Sequence, residues 1–206
     1  MLLQVLDYLG VSVFAISGGI VASRLRFDFV AFVFFATMTG VGGGTFRDLI
    51  LGVPVFWTQA EGYLIVCIVV SVVTWFLAHI VESWGKPLRW ADAVGLSAYA
   101  VMGAAKAISL GSTPVVAILM GVSTATFGGV LRDVVAGEPS AIVKPEIYVT
   151  AAAIGAAVFV LAEAIGAGYW PAAVAGFLSA MVIRGGAIAK GWSLPGYGKM
   201  RTSVEP

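Results

Sequence analysis

The chain has 206 residues, of which 60% are hydrophobic and only 11% charged, with a formal net charge of +1 and a mean hydropathy of +0.99. A water-soluble fold of this size could not cover so much apolar surface, because small folds leave much of their chain exposed. The near-zero charge and the absence of a basic stripe exclude a nucleic-acid binder, so the sequence reads as an all-α integral membrane protein.

A helix that crosses about 30 Å of hydrocarbon needs roughly 20 mostly apolar residues. Seven stretches meet that need: 5–22, 29–51, 61–80, 92–110, 114–136, 146–165 and 170–183. The first begins without a basic leader region and runs straight into a full span, so it reads as mature sequence rather than a cleaved signal. The runs are apolar on every side, which disfavours the alternating pattern of a β-barrel. The segment from Lys190 onward carries Pro, Gly and charges and reads as a short cytoplasmic tail.

Charge fixes the expected orientation. Arg24, Arg26, Lys86, Arg89 and Arg132 fall on one side of this topology, together with Lys144, Arg184, Lys190, Lys199 and Arg201. Arg47 alone falls on the other side, and Lys106 lies within a span. Basic loops stay cytoplasmic. The expected setting is the cell inner membrane, with the N-terminus outside and the C-terminus inside.

Shifted by 85 positions, the sequence matches itself without gaps. Residues 7–73 laid on 92–158 give 18 identical pairs in 67 positions. They include Asp7/Asp92, Gly10/Gly95, Gly18/Gly103, Arg47/Arg132, Asp48/Asp133 and Tyr63/Tyr148. Each copy holds three spans. Three is odd, so the second copy must enter the membrane from the opposite side, which makes an inverted repeat. The expected organisation is 1–90 and 91–168 as repeat units, 169–189 as a seventh helix and 190–206 as the tail.

Both copies centre on one motif. The second span reads Gly42-Gly43-Gly44-Thr45-Phe46-Arg47-Asp48, followed by Gly52 and Pro54. The fifth reads Phe127-Gly128-Gly129-Val130-Leu131-Arg132-Asp133, followed by Gly137 and Pro139. Adjacent glycines weaken a helix by about 1 kcal/mol each relative to alanine. They invite a kink or an unwound turn whose carbonyls can meet a cation. The alternative is close helix packing through small residues. Recurrence of the pair in both copies, each time before Arg-Asp, favours the break.

The doubled Gly-Gly-x-x-Arg-Asp motif, each copy followed by Gly-x-Pro, and the seventh helix resemble the trimeric intracellular cation (TRIC) channel family. The likeness is greatest to its prokaryotic branch, related to bacterial proteins named as glycine transporters. That resemblance implies a homotrimer with one pore per protomer. It implies conduction of potassium, with sodium as a second candidate. It places Gly43, Gly44, Gly128 and Gly129 at the kinks of pore-lining helices. Lys106 matches the first position of a lipid- and voltage-linked Lys-Glu-Val-x-Arg motif of animal members. Ala107, Ile108 and Leu110 depart from the rest of it, so phosphoinositide gating is not expected.

The remaining polar residues have two readings each. A mid-span lysine costs on the order of 2.5–3.5 kcal/mol and usually faces a cavity or partner. Lys106 lies at about the depth of Gly43, so it is expected to donate to carbonyls at Gly42–Gly44 and to plug the outer half of a pore. Snorkelling to the nearby interface is the alternative. Asp7–Arg47 and Asp92–Arg132 ion pairs are expected at the two mouths, either structural or lining the path. Glu163 reads as a snorkelling or interface residue, with a relay as the alternative, and Asp28, Glu82 and Glu138 read as solvated loop charges. Trp57, Trp75, Trp84, Trp90 and Trp170 suit an aromatic belt. Cys67 is the lone cysteine and His79 the lone histidine, so neither a disulfide, a metal centre nor a cofactor is expected, and no catalytic set points to an enzyme. Membrane lipids are expected partners. Two functions remain: a cation channel, and a secondary transporter of a small zwitterion such as glycine.

Overall fold

The computed structural model describes residues 2–83, 85–140, 142–143 and 146–194. They form eight helices: α1 Leu2–Arg24, α2 Phe29–Ile50, α3 Phe56–Gln59, α4 Gly62–Ser83, α5 Gly85–Ser109, α6 Pro114–Ala136, α7 Val149–Ala164 and α8 Tyr169–Lys190. α3 is a four-residue link; the other seven each have 16 residues or more. Lys144, Lys199, Arg201, Trp84 and the tail from 195 lie outside the described residues.

Among the described residues, α2, α6 and α8 are long and apolar enough to cross a membrane, with mean hydropathies of 1.6, 1.8 and 1.7. Twenty-two residues of helix measure about 33 Å, close to the thickness of a hydrocarbon core. Gly62–Ala78 and Val149–Ala164 are shorter apolar stretches. α4 turns Ile65, Ile68, Val69, Val73 and Phe76 outward. A helix apolar on its exposed face belongs against lipid or another subunit.

Helix ends follow local chemistry. Asp28, expected to be a solvated loop charge, caps α2: its Oδ1 accepts from the Ala31 N–H at 2.8 Å. Gly137 closes α6 at φ +70, and Gly52, just past α2, lies at φ +66. The left-handed backbone there favours glycine. The Gly-x-Pro of each copy is thus a helix stop. In both copies the same bond seals it: Val53 N–H donates to the Asp48 carbonyl at 3.0 Å, and Glu138 N–H to that of Asp133 at 2.9 Å.

Several boundaries differ from expectation, three of them with a local reason or consequence. α5 starts seven residues before Asp92, because Pro87 falls in the first turn, where its missing N–H costs nothing. α7 starts at Val149 rather than 146. α8 continues past Ile183 through Gly185 and Gly186, since these glycines receive the rings of Trp90 and Trp192, and ends at the left-handed Gly191.

Of the kink or unwound turn expected at the glycines, the unwound turn is absent. Gly42, Gly43 and Gly44 lie inside the continuous α2 helix, and Gly128 and Gly129 inside the continuous α6 helix. Close approach is what these positions need. A Cβ on Gly43 would overlap the Thr124 carbonyl oxygen, and one on Gly128 would overlap that of Thr39. Small residues let helix backbones meet in this way.

These contacts exchange under the 85-residue shift. Gly43 on Thr124 becomes Gly128 on Thr39. Gly18 beside the Phe35 carbonyl becomes Gly103 beside that of Met120. The α2–α6 pairs also run in opposite directions: as the number rises from 39 to 43 on one helix, it falls from 128 to 124 on the other. Reciprocal, antiparallel contacts are the signature of a two-fold axis between two helices.

Candidate functional site

Two cavities open at opposite ends of the bundle formed by α1, α2, α5 and α6. The first, about 390 Å³, is lined by residues including Asp7, Phe14, Gly43, Arg47, Tyr99 and Lys106. The second, about 430 Å³, is lined by residues including Ser17, Arg24, Asp92, Gly129, Arg132 and Arg184. They are repeat mates. Asp7, Gly44, Arg47, Met102 and Ala105 line the first; their partners at +85 or −85 (Asp92, Gly129, Arg132, Ser17 and Ile20) line the second. No described residue lines both. Gly43, Gly44, Gly128 and Gly129 all face one cavity or the other. Gly42 faces a third, apolar hollow near the stacked Phe46 and Phe127 rings, whose centroids are 3.9 Å apart.

The first cavity is organised by Asp48, whose side chain is fully buried. Its Oδ1 accepts from Arg47 Nε at 2.8 Å and from Lys106 Nζ at 2.8 Å. Its Oδ2 accepts from the Phe56 backbone N–H at 2.9 Å. Two cations and one amide saturate a carboxylate that burial would otherwise penalise. α3 contributes through Phe56, whose ring occupies the space left by Gly44, and through Trp57, whose Nε1 donates to Thr45 Oγ1 at 2.8 Å.

Lys106 therefore does not donate to Gly42–Gly44. The carbonyls of an unbroken helix already accept from their own ladder, and a carboxylate is the stronger acceptor for an ammonium. Its side chain is 33% exposed, so it is neither buried nor fully in water.

The expected Asp7–Arg47 ion pair is not made, since Arg47 turns to its neighbour Asp48. Asp7 instead accepts from the Tyr63 hydroxyl at 2.7 Å, and its backbone carbonyl accepts from the Tyr99 hydroxyl at 2.8 Å. The Asp92–Arg132 pair is likewise replaced. Arg132 donates to Asp133 through Nε at 2.8 Å and Nη2 at 2.6 Å, and through Nη1 to Ser17 Oγ at 2.5 Å. In both copies the arginine is held by the aspartate beside it, and Asp7 and Asp92 remain on the cavity walls.

Arg184 was legible in the sequence only as a basic residue. On α8, outside the repeat, it enters the second cavity with 8% of its side chain exposed. Its Nη1 donates to the Ile147 carbonyl at 3.2 Å and lies 3.7 Å from Glu146 Oε2, and its guanidinium stands 4.9 Å over the Tyr148 ring. Thr39 and Thr124 were also missed. Each sends its hydroxyl back to its own helix at 2.6 Å, to Phe35 and Met120 respectively, and lines the first cavity. Their identity under the shift was the available signal.

Known proteins share these features. A family model described as glycine transporter matches the chain twice, at residues 4–79 and 89–164. The two matches are offset by the same 85 positions. A UPF0126 membrane protein of Vibrio cholerae is 38% identical over 200 residues, covering 94% of this chain and 82% of that protein. The UPF0126 inner membrane protein YadS of Escherichia coli K12 is 41% identical over 159 residues, covering 75% of this chain and 76% of that one. Among solved structures, the trimeric intracellular cation channel orthologue of Rhodobacter sphaeroides superposes with a TM-score of 0.87 at 48% identity, covering 93% of this chain and 99% of that one. The doubled family match, the apolar helices and this shared fold agree: the chain is a multi-pass membrane protein that belongs to the glycine transporter (UPF0126) family and has the fold of prokaryotic TRIC channels.

Proposed function

We propose that the protein is a potassium-conducting cation channel, a homotrimer in which each protomer holds its own path. The observation that carries this reading is the pair of cavities, which are repeat mates and converge from opposite ends on the α2–α6 glycine crossing. Likeness to the R. sphaeroides cation channel at 48% identity supports it. The path runs from the Asp7 cavity, on the outside, past Gly43 and Gly128 to the Asp92 cavity, on the cytoplasmic side. The chain divides into inverted three-helix units, 1–90 and 91–168, a seventh helix over 169–189 and a tail over 190–206.

Arg47, Asp48 and Lys106 leave the outer cavity without a net cationic barrier, since Asp48 and Asp7 balance the two cations. Lys106 is the voltage-responsive part. Its ammonium bonds Asp48 at 2.8 Å, and its side chain is 33% exposed. Moving one charge across a full membrane is worth roughly 2.3 kcal/mol per 100 mV, so a partial displacement biases the Lys106–Asp48 bond. Lys106→Gln is expected to flatten the voltage dependence of open probability in planar bilayers while unitary conductance persists. An unaltered voltage response would remove Lys106 from gating.

A second reading, transport of glycine by alternating access, is favoured by the family description and by the separation of the two cavities. Bilayer recording with purified protein decides between them. Discrete potassium steps support the channel. Saturable glycine uptake into proteoliposomes without such steps supports the transporter. Native mass measurement in detergent tests the trimer.

A further inference from the structure

Phe14 on α1 and Tyr99 on α5 line the Asp7 cavity, and neither lines the Asp92 cavity. They are repeat mates, 85 positions apart, and they touch each other. Their ring centroids are 5.6 Å apart at 32°. Side chains that are each other's symmetry mates can touch only at the two-fold axis, so this pair marks the centre of the bundle. Both are buried, with 4% and 7% exposure.

The backbone is shaped around them. A Cβ on Gly10 would lie 2.7 Å from the Tyr99 ring, and one on Gly95 would lie 3.4 Å from the Phe14 ring. Gly10 and Gly95 are themselves repeat mates. Each copy thus gives up a side chain to seat the other copy's aromatic ring. Both rings line the Asp7 cavity, and the next turn of α1, at Ser17, already lines the Asp92 cavity.

We infer that Phe14 and Tyr99 form the plug that separates the two cavities, and that the bond from the Tyr99 hydroxyl to the Asp7 carbonyl latches it shut. The inference rests on the permeation path proposed above and names the step at which that path is closed. An apolar constriction stops ions by excluding water. Phe14 has no hydroxyl, so the latch lies on one side only. Its anchor, Asp7, also receives the Tyr63 hydroxyl at 2.7 Å, which ties the latch to α4.

Silver ion, a thiol reagent of about the size of potassium, tests the plug without any current. Cys67→Ala removes the native thiol and installs the residue found at the repeat mate, Ala152. Val130→Cys then places a thiol on the Asp92 side, and Ser109→Cys gives a reference thiol on the Asp7 side. Silver nitrate is added from the Asp7 side of sealed vesicles in chloride-free buffer, and residual thiols are counted with a maleimide after denaturation.

Expected is fast loss of the thiol at 109 and protection at 130. Phe14→Ala should speed modification at 130 at least about tenfold, the effect of removing ~1.4 kcal/mol of barrier. Tyr99→Phe keeps the ring and removes the latch, so it should give a smaller increase in the same direction. Phe34→Ala, an outward-facing control, should change nothing. Equal rates at 109 and 130 before any change to the rings would overturn the plug. So would an unchanged rate at 130 in folded Phe14→Ala and Tyr99→Phe proteins. Potassium steps on the same preparations test the channel reading separately, because silver access at 130 is read whether or not they occur.

Discussion

Asp48→Ala is expected to cost about 3–5 kcal/mol, the penalty for removing one partner of a buried ion pair. Arg47, whose side chain is 9% exposed, loses its carboxylate. Lys106 loses the anion that holds it in the cavity, and the Phe56 amide loses its acceptor. At roughly 2–4 °C per kcal/mol for a chain of this size, the melting temperature of the detergent-solubilised protein should fall by on the order of 10 °C. Asp48→Asn retains an acceptor for Phe56 and should lose less. Asp133→Ala tests the second copy. Its arginine is 17% exposed, so water can replace part of what is lost and the drop should be smaller. A melting temperature unmoved by Asp48→Ala would show that the three-way contact does not hold α3 and α5 to α2.

The glycine crossing gives the second large effect, and here the sign decides between two explanations. Inside an ordinary helix, Gly→Ala stabilises by about 1 kcal/mol. At Gly43 and Gly128 the added methyl would strike backbone carbonyls, which cannot swing aside. Overpacking of this kind costs ~1–3 kcal/mol or more, enough to reverse the sign. At Gly42 the neighbour is the Leu131 Cδ1, 3.2 Å from the added carbon, and a leucine tip can move. Gly43→Ala and Gly128→Ala should therefore lower the melting temperature, whereas Gly42→Ala should leave it unchanged or raise it slightly. The double variant should lose less than the sum, because the first methyl already separates the helices that the second would push apart. If the glycines served as hinges, all three substitutions would stabilise the protein and stiffen gating alike.

The helices and their duplication were legible because both are written in one dimension. Apolar runs mark spans, and identity at a fixed offset marks a repeat. Asp7, Asp92, Arg47, Arg132 and the paired glycines were all found this way, and the cavities do contain them. What the glycines do was not legible. A helix break and a close approach leave the same letters, and only the Thr39 and Thr124 carbonyls facing them tell the two apart. The ion pairs were misassigned for a similar reason. Asp7 and Asp92 looked like the natural partners across helices, yet the carboxylate next in sequence wins. Phe14 and Tyr99 were hidden because they differ, so a count of identities passes over them. The start of α5 and the end of α8 were set too short, at 92 and 183, because an apolar run does not show that the helix continues through Pro87 or through Gly185 and Gly186. Proline is harmless in a first turn, and the two glycines make room for tryptophans.

The reciprocal crossing of α2 and α6 is an isologous interface of the sort that homodimers use, but carried within one polypeptide. In a homodimer every residue must appear identically on both faces. Covalent joining lifts that obligation. Lys106 can stand at one vestibule while Val21 occupies the matching place at the other, and Ser109 can face Arg24 across the same relation. The path proposed above thereby acquires a direction, with unlike side chains at its two ends, and inward and outward currents through it are expected to differ.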